Sequence, residues 1–335
     1  MPPVSSVPVG SNRIFRRVVI FILGCGFFLA VAGITYQQVS LARDRHAYVM
    51  SGDLIDVGGY RMHIDCTGSG SPAVILDSGL GDSYVSWRKV QPQIAQFARV
   101  CSYDRAGLGY SGFRLRRRTS KDIAEELHSL LRNAQVPAPY VLVGHSMGGY
   151  DVRVYASLYP NEVAGMVLVD SSHPEQQKRF PQAINDLSAS DLRQQEFLAA
   201  IMPFGIPRLL GFCDRDVEIR AAECNFYSAL ESVEELREFP KSAAQAATAG
   251  SLGNLPLAVL SSDPNMPHPE IPEDLDKPTT NAWQQMQEEL AHLSTRGTRV
   301  IAKNSGHYIQ LDRPDMVVNA VRNVVDEARM PGGIR

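Results

Sequence analysis

The sequence lacks the patterns by which proteins hold the common cofactors and nucleic acids. No cluster of metal ligands, phosphate-binding loop or dinucleotide fingerprint is visible in it, since the glycines at 107 and 109 have neither the third glycine nor the helix start of such a fingerprint. The formal net charge is only -3, which excludes a broadly basic surface for nucleic acid. We therefore expect no cofactor, no metal and no nucleic-acid partner.

Charge is also absent from residues 18–36, which are almost wholly apolar. Their length suits a tilted membrane-spanning helix. Arginines lie just before this stretch, so the positive-inside rule places the N-terminus in the cytoplasm and the rest of the chain outside it. We predict a cytoplasmic tail over 1–17, a transmembrane anchor over 18–36 and a polar connector over 37–52.

A cleaved signal peptide is the alternative for this segment. Residues 30–32 read AVA, which has the small-x-small form of a signal-peptidase site. The apolar character continues beyond this site through Ile34 and Tyr36, so we favour an uncleaved anchor. Cleavage would instead give a secreted protein.

Residues 144–148 read GHSMG and are the most informative feature of the chain. The preceding run 140–143 is short and apolar, as in a strand buried on both faces. Apolar residues at helical spacing follow until Pro160. This pattern predicts a strand, a sharp turn and a helix, with Ser146 held as a nucleophile on the turn.

Further strand-like runs lie on both sides of this turn, with helical patterns interleaved after the third. They predict an eight-stranded, mostly parallel α/β sheet with helices on both faces. The last helix carries an apolar stripe of valines from Val317 to Val325, and a second stripe begins at Trp283; we interpret both as core packing. The predicted strands are 53–57, 60–66, 72–77, 98–103, 139–143, 163–169, 256–261 and 298–302.

Downstream of Ser146 the chain offers an acid and then a histidine. Asp170 and Asp263 each follow a strand-like run, and His307 lies in the sequence NSGHY. Serine, acid and histidine in this order are typical of an α/β-hydrolase. Over roughly residues 53–329 the chain resembles that superfamily.

Further local motifs support the resemblance. Residues 76–81, LDSGLG, resemble the loop that lends a backbone N–H to the oxyanion hole, and residues 104–111, DRAGLGYS, are similar to the turn after the fourth strand. The resemblance implies a hydrolase core over 53–170 and 256–329. The long insertion between them, 171–255, resembles a helical cap over the active site.

The resemblance also implies roles for individual residues. Ser146 is the expected nucleophile and His307 its base, and the N–H groups of Leu80 and Met147 would form the oxyanion hole. The acid is less clearly marked. In this fold it usually follows the seventh strand, but Asp263 arrives two residues before the usual position. Some members supply it from the end of the sixth strand, where Asp170 lies, and we favour Asp170 with Asp263 as the alternative.

Four of the five cysteines form an even set outside the apolar segment, as expected of an exported domain. In the implied fold the second and fourth strands are antiparallel neighbours, which predicts a Cys66–Cys101 bond. The other two cysteines lie within the insertion, which predicts a Cys213–Cys224 bond. Free buried cysteines are the alternative.

A serine at the turn distinguishes this chain from the epoxide hydrolases and haloalkane dehalogenases of the same fold, which carry aspartate there. We predict a membrane-anchored, extracytoplasmic serine hydrolase that cleaves a small-molecule, apolar carboxylic ester. Thioesterase, lactonase, C–C hydrolase and perhydrolase activities are alternatives within the fold. A non-catalytic ligand-binding protein is the alternative from another class.

Overall fold

The computed structural model of the chain describes residues 11–114, 117–269 and 271–330. The first ten residues of the predicted cytoplasmic tail, 1–17, lie outside this part.

Eight strands form one sheet in the spatial order β1-β2-β4-β3-β5-β6-β7-β8. β2 is antiparallel to both of its neighbours, and the pairs from β4 to β8 are parallel. The predicted mostly parallel sheet is therefore confirmed, with every strand within a few residues of its predicted place. The strands are β1 Asp53–Asp56, β2 Arg61–Thr67, β3 Ala73–Asp77, β4 Val100–Tyr103, β5 Tyr140–His145, β6 Val163–Val169, β7 Leu257–Ser262 and β8 Gly297–Ala302.

Helices lie before the sheet, on both of its faces and in the insertion. Short 3₁₀ turns cover Tyr84–Trp87, Pro160–Glu162 and Met202–Phe204. The α-helices of the described residues are α1 Ser11–Ala47, α2 Gln91–Ile94, α3 Ser120–Asn133, α4 Gly148–Leu158, α5 Gln176–Arg179, α6 Gln182–Ile201, α7 Ile206–Leu209, α8 Val217–Glu223, α9 Phe226–Thr248, α10 Glu273–Ala291, α11 Ile309–Asp312 and α12 Pro314–Arg329.

The core lies on the two faces of the sheet, and successive residues of a strand alternate between them. In β3, Ile75 packs into the cluster that contains α3 and α4, while Val74 and Leu76 pack into the cluster that contains α12. The predicted valine stripe, Val317 to Val325, is buried in this second cluster. This rigid sheet positions the loops at its carboxyl edge.

Residues 171–255 leave the sheet after β6 and return at β7. They hold α5 to α9, so the insertion is helical, and we call it the cap. α9 packs against α4 and α3 on the sheet side and against α6 within the cap. The cap thereby lies over the helix that follows Ser146.

Both predicted disulfides are present. Cys66 and Cys101 are direct cross-strand partners in the β2–β4 pair, with their Cα atoms 4.1 Å apart. Cys213 and Cys224 close a loop within the cap before α9. Cys25, in the apolar segment, is a free, exposed thiol.

α1 is longer than the predicted anchor. It is apolar and long enough to cross a membrane, and none of the residues in its most apolar 18-residue window is buried. It does not end at Tyr36 but continues to Ala47, so most of the predicted polar connector, 37–52, is helical. No glycine or proline interrupts the chain between Gly33 and Gly52.

Contacts with the cap explain the extra turns of α1. The buried Asp44 carboxylate accepts hydrogen bonds from Arg208 Nη1 at 2.5 Å and from Arg220 Nε at 3.0 Å. Burial acts to raise the pKa of Asp44, but the two guanidinium groups outweigh it and hold that pKa below its ordinary value. Gln37, also buried, donates to the Cys224 carbonyl at 2.9 Å. The end of α1 is thus part of the folded domain.

Candidate active site

Ser146 lies on a sharp turn between β5 and α4. Its φ of +51° lies in the left-handed region, which is a strained conformation for a serine. A Cβ on Gly144 would lie 2.6 Å from the Gly148 carbonyl oxygen, and one on Gly148 would lie 2.6 Å from that of Ser78. Only glycine fits at both positions, which gives the GHSMG pattern its steric reason.

His307 lies in the loop between β8 and α11, and its Nδ1 is 2.7 Å from Asp170 Oδ2. Asp170 follows β6 and is 2% exposed. Its other oxygen, Oδ1, accepts the Ser262 N–H at 2.8 Å and the Trp283 indole N–H at 2.9 Å. All of the hydrogen bonds to this carboxylate therefore stabilise one orientation toward the imidazole.

These donors also stabilise the charge on Asp170. Burial by itself would raise the pKa of this carboxyl group, because it disfavours the charged form. The hydrogen bond and charge of His307, followed by the N–H groups of Ser262 and Trp283, outweigh burial and lower that pKa below its ordinary value. The group is an anion at neutral pH and can stabilise an imidazolium.

The alternative acid, Asp263, has different partners. Its Oδ2 accepts the Asn304 N–H, and its Oδ1 accepts both the backbone N–H and the side-chain amide of Asn265, each at 3.0 Å. These bonds fasten the loop after β7 to the loop that carries His307. In the structure Asp170, and not Asp263, is hydrogen-bonded to the imidazole of His307.

The turn at Ser146 is tied to the same edge of the sheet through its backbone. Its N–H donates to the Val169 carbonyl at 3.2 Å, and its carbonyl accepts the Ser172 N–H at 3.0 Å. These bonds hold the turn against Val169 and Ser172, which lie on either side of Asp170 in the chain. Ser146 and Asp170 are therefore neighbours because β5 and β6 are parallel neighbours.

His145 connects the serine turn to the histidine loop. Its Nε2 is 3.1 Å from the His307 carbonyl oxygen, and the two rings lie 4.7 Å apart. Burial, with the nearby His307, lowers the pKa of His145 to about 3, so the ring is neutral and its Nε2–H donates to that carbonyl. The sequence reasoning gave His145 no role. Its contact shows that it positions the backbone of the proposed base.

The two predicted oxyanion donors lie in loops at the carboxyl ends of β5 and β3. Met147 follows Ser146 at the start of α4 and is buried, and Leu80 lies in the loop after β3. Within the described residues, neither N–H donates to another protein group. The arrangement leaves both N–H groups available to a substrate oxygen.

Arg105 holds the Leu80 loop, a role that the sequence analysis missed. Its guanidinium donates to the carbonyls of Ser78 and Gly79 and forms ion pairs with Asp77 at 2.9 Å and with Glu235 of α9 at 2.6 Å. Glu235 also accepts the N–H of Gly81 at 2.8 Å. The loop is thus fixed between the sheet and the cap.

Trp283 also differs from its predicted role in the core. It is only partly buried, and its indole N–H donates to Asp170. The stripe to which it belongs does reach the core at Met286 and Leu290. Helical periodicity identifies the packing face of α10 but carries no information on a partner 113 residues away.

One trio of potential metal ligands occurs in the described residues, His173, Glu175 and Glu289. Glu289 already forms two hydrogen bonds with Arg179, at 2.7 and 2.8 Å. His173 Nε2 lies 3.5 Å from the same carboxylate. An ion-pair network accounts for this trio.

Comparison with known proteins agrees with this architecture. A family model described as alpha/beta hydrolase fold matches residues 72–217. The uncharacterized protein YqjL of Bacillus subtilis is 26% identical over 258 residues, which are 77% of this chain and 85% of that protein.

Solved structures share the fold at low identity. A loop variant of the haloalkane dehalogenase DbeA from Bradyrhizobium elkanii is 18% identical with a TM-score of 0.64, and the match covers 82% of this chain and 96% of that one. A thermophilic esterase from Thermogutta terrifontis is 19% identical with a TM-score of 0.59, over 84% of this chain and 100% of that one. The fold is that of an α/β-hydrolase. The chain is therefore similar to the α/β-hydrolases, in sequence over residues 72–217 and in fold over most of its length.

Proposed function

We propose that this protein is a serine hydrolase that cleaves a carboxylic ester through an acyl-enzyme intermediate. The observation that carries the proposal is the 2.7 Å bond between His307 Nδ1 and the buried Asp170 carboxylate, at the sheet edge where Ser146 lies on its strained turn. A structural ion pair would not require a serine at positive φ beside it.

The proposed mechanism follows from what each group can do. His307 Nε2 accepts the proton of the Ser146 hydroxyl as Oγ attacks the ester carbonyl. Asp170 holds the Nδ1–H tautomer and stabilises the imidazolium that forms. The N–H groups of Leu80 and Met147 bind the developing oxyanion. His307 then protonates the leaving alkoxide, and water, activated by the same imidazole, hydrolyses the acyl-enzyme.

The residue on the turn supports acyl transfer over dehalogenation. A serine alkoxide forms an ester with an acyl group, which water can hydrolyse. The aspartate nucleophile of dehalogenases forms an ester in which the carbonyl carbon belongs to the aspartate side chain. Water attacks that carbon and releases the alcohol. A serine ether left by dehalogenation would have no such carbonyl. The esterase among the structural neighbours is consistent with this choice.

We also propose that α1 anchors the enzyme in a membrane, with the catalytic domain outside the cytoplasm. The arginines before the apolar span favour a cytoplasmic N-terminus. The Cys66–Cys101 and Cys213–Cys224 bonds fit an oxidising compartment. Secretion after cleavage at residues 30–32 is the alternative location.

A fluorophosphonate probe and a short p-nitrophenyl ester test the catalytic proposal. The wild-type protein should be labelled by the probe and should hydrolyse the ester. Ser146→Ala should abolish both signals without changing the melting temperature, and Ser188→Ala, at an exposed position of α6, should behave as wild type. Retained labelling in Ser146→Ala, or an unlabelled wild-type protein, would refute the proposed nucleophile.

A further inference from the structure

The cap has an exposed apolar edge between α6 and the Cys213–Cys224 disulfide. Residues 202–212 read MPFGIPRLLGF and comprise a 3₁₀ turn, α7 and the residues after it. Leu209, Leu210 and Phe212 are 66%, 65% and 59% exposed. Contiguous exposed apolar residues on a soluble surface are unusual and typically contact another molecule or a membrane. We call residues 202–212 the apolar edge.

The apolar edge lies directly against α1. A Cβ on Gly33 would lie 2.5 Å from the Phe204 carbonyl oxygen, and one on Gly205 would lie 2.7 Å from the ring of Tyr36. Glycines at both positions let the two backbones approach closely. Gly33 and Tyr36 belong to the apolar stretch 18–36, so the edge contacts the proposed membrane span itself.

The length of the apolar stretch 18–36 determines how deep in the bilayer this contact would lie. At 1.5 Å per residue, 19 helical residues cover about 28 Å, close to the roughly 30 Å of a bilayer's hydrocarbon core. Residues 18–36 can therefore cross only if nearly all of them lie in the hydrocarbon. Gly33 is three residues, about 4.5 Å, inside the end of this span. Phe204, which contacts Gly33, lies at the same depth.

Polar contacts just beyond the span hold the cap in this position. Asp44 pairs with Arg208 of α7 and Arg220 of α8, and Gln37 donates to the carbonyl of Cys224. Arg208 carries the only formal charge in the apolar edge. Its side chain is only 8% exposed and forms an ion pair with Asp44. The edge consequently presents apolar side chains, and no exposed charge, beside the helix.

We propose that the apolar edge inserts into the leaflet on the catalytic side of the membrane, where its side chains contact lipid acyl chains. The cap is then an interfacial element, and the enzyme takes apolar esters at the membrane surface. The inference rests on the proposed membrane anchoring by α1. It goes beyond anchoring because it assigns a second contact with lipid to the catalytic domain.

Tryptophan quenching by brominated phosphatidylcholine tests this contact in the full chain reconstituted into vesicles. Leu210→Trp reports on the apolar edge. Leu158→Trp, at the exposed end of α4 opposite the carboxyl edge of the sheet, is the matched control, and Phe28→Trp reports on the span itself. The signal of the two native tryptophans is subtracted with the parent protein.

Leu210→Trp should be quenched severalfold more strongly than Leu158→Trp by lipid brominated near the headgroup end of its acyl chain. Equal, weak quenching of these two variants beside strong quenching of Phe28→Trp would overturn the inference and leave the anchor intact. Absence of quenching in Phe28→Trp would refute the anchor and the inference together.

An activity measurement separates the inference from the proposed chemistry. The double variant Leu209→Gln with Leu210→Gln should have a severalfold lower kcat/KM for a long-chain ester presented in vesicles. Its kcat/KM for a short, soluble ester should equal that of the wild type. An equal kcat/KM for the vesicle ester in variant and wild type would contradict the interfacial role. Failure of the wild type to cleave either ester would refute the proposed function, whereas the quenching result would be unaffected.

Discussion

Replacing each candidate acid by asparagine gives opposite predictions for the two residues. Asp170 accepts from His307, Ser262 and Trp283. Asparagine retains one carbonyl oxygen, which can still accept the Ser262 and Trp283 N–H groups. Its NH₂ group then faces His307 Nδ1. That nitrogen must become an acceptor, so the proton moves to Nε2 and the imidazole can no longer act as a base toward Ser146.

The magnitude follows from this inversion. Loss of one hydrogen bond to a charged group would cost about 1.5–3 kcal/mol, or roughly one to two powers of ten in rate. A wrong tautomer in a Ser-His-Asp triad costs about 10⁴-fold in kcat, or about 5.5 kcal/mol. We therefore expect Asp170→Asn to lose about 10⁴-fold. Asp263→Asn alters only a loop contact and should change kcat by less than about tenfold.

Hydrolysis of a short p-nitrophenyl ester over a range of concentrations gives kcat for both variants. A fluorophosphonate titration corrects for the fraction of active protein, and circular dichroism establishes that each variant is folded. The reasoning is refuted if Asp263→Asn is inactive while Asp170→Asn retains near-normal kcat. The usual loop of the fold would then supply the acid.

Two further predictions concern the neighbours of this pair. Trp283→Phe removes one N–H donor from the Asp170 carboxylate and should lower kcat by about one to two powers of ten with KM nearly unchanged; unaltered kcat would show that the indole only packs. Because burial lowers the pKa of His145 to about 3, the unfolded chain binds the extra proton below pH 6.5, and acidification from there toward pH 3 destabilises the fold. His145→Gln retains a donor but cannot be protonated. The free energy of unfolding, measured by urea denaturation of the detergent-solubilised protein, should therefore fall by about 1.4 kcal/mol less per pH unit below pH 6 in this variant than in wild type. Parallel pH profiles of the two proteins would contradict the assignment.

The sheet could be predicted because each strand carries a complete local signal. Short runs of apolar and β-branched residues, such as those of β5 and β6, form strands in most contexts when both faces are buried. The Cys66–Cys101 bond followed from the implied neighbours β2 and β4, since it joins residues that are directly paired. The turn at Ser146 could be predicted because close backbone contacts require the glycines on either side of it.

Which aspartate contacts His307 could not be predicted from the sequence, because both aspartates follow strands that end at the same edge of the sheet. Their distinction depends on which carboxylate reaches the imidazole, and Asn304 and Asn265 hold Asp263 in the loop. The length of α1 was missed for a related reason. A polar sequence beyond the apolar span predicts exposure, but Gln37 and Asp44 are buried against the cap.

The position of the proposed oxyanion loop depends on the cap as well as on the sheet. Ser83 donates from its N–H and its hydroxyl to Glu223 of α8, whose pKa is raised to about 7 by burial, and Gly81 donates to Glu235 of α9. These partners are 140 and 154 residues away along the chain. On α8, Glu223 lies one turn from Arg220, which pairs with Asp44 of α1. A short series of partly buried polar contacts therefore joins the proposed membrane helix to the loop that carries Leu80, and no local pattern in the sequence encodes it.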